Sequence, residues 1–181
     1  IKELLDSNKL PRVILLHGPS GMGKAVLAER IARMINKSEV DSPDITTIGE
    51  DSKITVDSIR DIIERAQQTA NISDYNIFII KNCENMATSA ANGLLKTLEE
   101  NNDNNYFILT TDNPHKVLAT ILSRCFKISI TAEPSIIYSW LQSQGIVDRA
   151  EQDYLLEIAG FGPLRAIEYY TAGCLNKLAK T

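Results

Sequence analysis

Gly18-Pro19-Ser20-Gly21-Met22-Gly23-Lys24 constrains this chain more than any other stretch. It lies between an apolar run, Val13-Ile14-Leu15-Leu16, and a segment whose Leu27, Ile31, Met34 and Ile35 recur at helical spacing. A buried strand, a glycine-rich turn and a helix, in that order, make a phosphate-binding loop. Glycines let backbone N–H groups close around an anion, and the helix N-terminus adds partial positive charge. Gly18, Pro19, Ser20, Gly21, Gly23 and Lys24 are therefore candidate nucleotide-binding residues, with Lys24 reaching the outer phosphates. Ala25 completes the set, but it stands where the motif calls for Ser or Thr, and a methyl group cannot hold Mg²⁺.

A second metal contact in this class comes from an acidic residue at the end of a neighbouring strand. The apolar run Ile77-Phe78-Ile79-Ile80 has the character of a buried parallel strand, yet Lys81 and Asn82 follow it. Lysine repels Mg²⁺ and asparagine is no general base. Glu84 lies three residues beyond the metal position and reads as a charge favoured at a helix start. No metal site is expected, and the chain is expected to hydrolyse nothing.

Strand-like runs alternate with helical patterns up to about residue 130. A short strand is expected at Ile45–Ile48, a helix capped by Asp57 and running to Ala70, and a helix over Ala90–Glu100. Tyr106–Thr111 and Cys125–Ile130 read as further strands, and residues 2–8 as the last turns of a helix. From Thr131 onward only short helices are expected, at 133–144, 148–159 and 163–180, punctuated by Gly145 and Gly160-Phe161-Gly162-Pro163. The expected architecture is an α/β base with an open parallel sheet over 1–130 and a small helical lid over 131–181.

Composition excludes several classes. A formal net charge of -4 argues against a general nucleic-acid coat, and no run approaches the roughly 18 apolar residues of a membrane span. Cys83, Cys125 and Cys174 have neither zinc spacing nor an even count, which fits a reducing cytoplasm. His17 and His115 lack metal-spaced partners, and Tyr138 and Trp140 read as lid core.

Asn92-Gly93-Leu94-Leu95-Lys96-Thr97-Leu98-Glu99-Glu100 resembles a signature of clamp-loader ATPase subunits, and Ser123-Arg124-Cys125 resembles their "SRC" motif. Pro43-Asp44, Ile59-Arg60, the phosphate loop and Gly162-Pro163-Leu164-Arg165-Ala166 occur in that family's order. The chain is thus similar to the AAA+ clamp-loader subunits of bacterial DNA polymerase III, and most similar to the delta-prime branch, whose nucleotide site is commonly degenerate. It departs from them at Asn101-Asn102, where a proline pair is usual, and in lacking a four-cysteine zinc module. The family's collar domain and the start of its adenine-holding segment are also not represented, so the sequence reads as a truncated piece.

The resemblance implies a fold and a set of roles. Arg124 would be an arginine finger acting in a neighbouring subunit; on spacing alone, without the resemblance, pairing with a surface carboxylate is the favoured reading. Arg165 would be a sensor touching phosphates from the lid, or an ion-pair partner holding lid to base. Thr111 would be a sensor near the γ-phosphate, or a turn hydroxyl at a strand end. Lys96 and Arg60 could meet DNA phosphates or simply lie on solvated helix faces. No cofactor is required on this reading, with ATP held weakly or not at all. The implied partners are gamma/tau-like ATPase subunits, a delta-like wrench subunit, and the sliding clamp and primer–template DNA through the complex, with no membrane. The alternative is an active gamma/tau-like ATPase.

Overall fold

Apolar runs without polar alternation become the central strands, because only a strand covered on both faces can bury every side chain. The computed structural model describes residues 9–37, 42–50, 53–100 and 104–173. The helix expected over 2–8, the Asn101-Asn102 departure, Cys174 and the tail of the last expected helix lie outside those residues. The described elements are β1 (Val13–His17), α1 (Lys24–Asn36), β2 (Ile45–Ile48), α2 (Val56–Ala66), β3 (Asn76–Ile80), α3 (Thr88–Glu99) and β4 (Asn105–Thr111). There follow α4 (Ala119–Leu122), β5 (Phe126–Ser129), α5 (Pro134–Ser143), α6 (Arg149–Ile158) and α7 (Pro163–Thr171). Two compact units emerge. One holds the described residues within Ile1–His17 and Ala25–Ile128; the other holds Gly18–Lys24 and those from Ser129 onward.

The first unit is a five-stranded sheet in the order β2-β3-β4-β1-β5. β3 runs parallel to both β2 and β4, and β4 parallel to β1. Every residue of β3 and β4 is buried. Phe78 and Phe107, paired across β3 and β4, stack with centroids 5.0 Å apart. Such a pair adds about 1 kcal/mol beyond the area it buries. Alternate residues, Phe78, Ile80, Phe107 and Leu109, share a cluster with Ile59 and Ile62 of α2 and Ala90, Ala91 and Leu94 of α3. On α1, Ala28, Ile31, Ala32 and Ile35 are buried, whereas Leu27 is half-buried and Met34 is exposed, so the expected apolar face is rotated.

Asp57 does not cap α2. Thr55 does: its hydroxyl accepts from the Ser58 N–H at 3.2 Å, and the Ser58 hydroxyl accepts from the Thr55 N–H at 3.0 Å. This reciprocal box satisfies two donors that the helix leaves open. Asp57 sits inside the first turn and pairs with Arg60. The helix also stops at Ala66, short of Ala70, because side-chain amides take its terminal carbonyls. Asn105 Nδ2 donates to the Ala66 carbonyl at 2.9 Å and Asn76 Nδ2 to that of Gln68 at 2.8 Å.

Asp44, from the Pro43-Asp44 pair, organises the next turn. Its carboxylate accepts from the backbone N–H groups of Asn71, Ile72 and Ser73. Burial pushes its pKa up, but these donors more than offset that and hold it well below the usual carboxylate range. Its contribution to stability is therefore present above the unfolded pKa of about 3.9 and fades as pH falls below it.

In the second unit Ile137, Leu141, Ile146, Leu155, Leu156, Ala159 and Ala166 form the core, with Tyr138 and Trp140 half-buried against it. Asp148 caps α6 by accepting from the Glu151 N–H, and Tyr138 donates to Asp153. Buried Gln152 donates to the Ile146 carbonyl, which keeps a polar amide inside this small core satisfied.

Candidate functional site

The phosphate loop and the lid residue Arg165 fall in the second unit; Ala25, Lys81, Asn82, Thr111 and Arg124 fall in the first. Lys24 is buried, and its ammonium donates to the carbonyls of Gly18 at 2.8 Å and Pro19 at 2.7 Å. The loop backbone is pinned to the start of α7: the Leu164 N–H, one of the donors a helix leaves open, bonds to the Gly21 carbonyl at 3.0 Å. Two glycines make the approach possible. Gly21 has φ +74 and a Cβ there would stand 2.8 Å from that of Arg165; a Cβ on Gly162 would run into the Ser20 carbonyl. So the structure brings Arg165 beside the loop backbone, while its guanidinium is exposed and lies 6.0 Å from the Tyr169 ring centroid.

The end of β3 carries a buried ammonium. Lys81 Nζ bonds to Glu29 Oε1 at 2.8 Å and to Glu50 Oε1 at 2.5 Å, with only 5% of its side chain exposed. Glu29 lies one turn beyond Ala25 on α1, and Glu50 follows Gly49 after β2. Burial pulls the Lys81 pKa down, but the two carboxylates outweigh it and the net shift is upward. Asn82 takes a left-handed conformation, φ 52; its N–H donates to the Thr110 hydroxyl and its amide to the Gly49 carbonyl. These bonds stitch β2, β3 and β4 together at one end of the sheet.

The residues present do not fit Mg²⁺. Ala25 offers a methyl group, and the carboxylates nearest Lys81 are already turned onto its ammonium. A cation there is supplied by the chain itself. Among the described residues, no cluster of His, Cys, Asp or Glu could hold a metal ion.

Thr111 is fully buried, and its hydroxyl accepts from the Asn113 N–H at 3.1 Å, a short-range turn bond. Glu84 lies in a single 3₁₀ turn, Cys83–Asn85, with Oε1 accepting from the Asp112 N–H at 2.9 Å. Arg124, just past α4, donates to the Thr120 carbonyl and pairs with Glu99. Lys96 and Arg60 lie exposed, each beside a carboxylate of its own helix. Burial pushes the Cys125 thiol up to about 11 and that of Cys83 well above its ordinary range, so neither is poised as a nucleophile.

Sequence reasoning missed Glu29, Glu50, Glu99 and Thr110 as partners. Glu29 was accessible, since it lies four residues after Ala25 and so on the same helix face. Glu50, Glu99 and Thr110 reach their partners only through the sheet order and the packing of α3, which local spacing does not encode.

Residues 1–134 match the family described as DNA polymerase III, delta subunit. Subunit delta' of DNA polymerase III from Haemophilus influenzae is 36% identical over 126 residues, covering 68% of this chain and 38% of the relative. Subunit tau from Bacillus subtilis is 31% identical over 167 residues, covering 82% of this chain and 28% of the relative. The chain thus spans about a third of the length of these two relatives. Among solved structures, a DNA polymerase III gamma subunit-related protein from Thermotoga maritima matches with TM-score 0.72 and 23% identity, over 93% of this chain and 57% of that one. The RuvB Holliday junction branch migration motor of the same organism matches with TM-score 0.66 and 13% identity, over 92% and 55%. At these identities the structural likeness shows the fold, a P-loop AAA+ sheet with flanking helices and a helical C-terminal part.

Proposed function

The chain belongs to the DNA polymerase III delta-subunit family, and from that premise we propose that it is a non-hydrolytic, stator-like subunit of the replicative clamp loader. The observation that carries this is the Lys81 ammonium, buried between Glu29 and Glu50 at the end of β3, with Ala25 in the first turn of α1. Both protein contacts to a catalytic metal are replaced, one by a methyl group and one by a charge of the metal's own sign.

Arg124 is the residue this subunit contributes to chemistry. A guanidinium offers a fixed fork of donors and a permanent charge, which suit it to a phosphate in a neighbouring subunit's ATP site. ATP binding by gamma/tau-like neighbours would then drive the ring to open a sliding clamp and place it on primer–template DNA. Arg165 and Thr111 act as structural residues here, one packed beside the loop and one closing a turn.

The similarity to a tau subunit supports a second reading, an active ATPase. The two readings diverge on metal. Titration of ATP into the purified protein with and without Mg²⁺ is expected to give weak or no binding that Mg²⁺ does not improve. Tight binding that depends on Mg²⁺ would favour the active enzyme.

A further inference from the structure

The Arg124 guanidinium is held by its own chain on two sides. Nη1 donates to the Thr120 carbonyl at 2.7 Å and to the Ser123 hydroxyl at 3.3 Å, both from the turn that carries Arg124. Nη2 pairs with Glu99 Oε1, which comes from the last turn of α3. The two anchors do different work. Bonds to its own turn fix one end of the guanidinium, and only a contact from a second element stops the plane from swinging about that end. Nε is buried with no hydrogen-bond partner among the described residues, so the side chain is already largely withdrawn from water. It is 28% exposed, against 50% for Glu99.

The placement of Glu99 is informative in its own right. A carboxylate in the last turn of a helix faces the negative end of the dipole and is disfavoured there without a cation. Two glutamates end α3, and each has one: Glu100 lies 3.8 Å from Lys96 on the same helix, whereas Glu99 reaches across to Arg124.

We propose that Glu99 is a positioning residue for Arg124, fixing the plane of its guanidinium so that this subunit presents the finger already ordered to a neighbour's ATP site. The proposal rests on the reading of Arg124 as an in-trans finger. Ordering the side chain within one subunit removes an entropic cost from the transition state formed in the other. Because Glu99 would touch neither ATP nor the attacking water, its whole effect passes through Arg124.

The test uses the reconstituted complex with Glu99→Ala, Glu99→Gln, Arg124→Ala and the double variant in this subunit, assembly being checked by gel filtration. Glu99→Ala is expected to lower kcat by roughly tenfold with KM for ATP unchanged, in keeping with a misplaced reacting group. Glu99→Gln, which keeps an acceptor, should lose less. The double variant should be no slower than Arg124→Ala, a result that a merely structural role for Glu99 would not give. An unchanged or raised kcat in Glu99→Ala, alongside a lowered one in Arg124→Ala, overturns the proposal and leaves the finger standing. A double variant slower than Arg124→Ala also overturns it. If Arg124→Ala itself leaves kcat unchanged, the finger reading fails and the proposal falls with it.

Discussion

Arg124→Ala in this subunit is expected to slow ATP hydrolysis at the neighbouring site by ~10³-fold or more, the range seen when an arginine finger is supplied in trans. The size follows from where the charge acts. Negative charge spreads over the transferring phosphate's oxygens in the transition state, and a guanidinium already in place needs no solvent reorganisation to meet it. Arg124→Lys should recover little, because an ammonium is a point charge without the planar fork. Single-turnover hydrolysis in the assembled complex reads the loss directly. Folding of the variant should be unimpaired, since Arg124 is held mainly by a partly exposed ion pair and bonds to its own turn.

Removing both carboxylate charges beside Lys81, in Glu29→Gln/Glu50→Gln, is expected to cost about 3 kcal/mol, the scale for leaving a buried charge uncompensated. Lys81→Met should cost much less, because the carboxylates it leaves behind are 38% and 66% exposed and can turn to water. The asymmetry comes from burial: the lysine side chain is the least exposed of the three. Urea midpoints of the two variants against the parent protein measure it. The pH dependence has a definite sign as well. With the Lys81 pKa raised, the ion pair's contribution is fully present below the unfolded pKa of about 10.4 and is lost as pH rises through the folded value.

The central strands β3 and β4 were legible because each carries an apolar run. Ile77–Ile80 and Tyr106–Thr111 could be nothing but buried parallel strands once helices were placed between them. Element ends were less legible. Asp57 is a good cap by residue type, but the Thr55–Ser58 box, which begins two residues earlier, satisfies more backbone donors, and the stop at Ala66 depends on amides from distant β3 and β4. The face of α1 was misjudged at Met34 because a helical stripe fixes which residues lie together and leaves its rotation to packing. At the site, Ala25, Lys81 and Asn82 were visible as departures from a metal-binding pattern. What could not be read was that Lys81 would be neutralised by two glutamates, since Glu50 meets it only when β2 lies beside β3 and Glu29 only when α1 packs near the end of β3.

ATP turnover by the assembled complex carrying Lys24→Ala in this subunit alone tests the central claim most directly. Lys24 is the one loop side chain an active phosphate site cannot lose, whereas here its ammonium bonds to the carbonyls of Gly18 and Pro19. The account predicts turnover equal to that of the unaltered complex. Loss of a full site's share of turnover would contradict it, and the chain would then have to be a motor subunit.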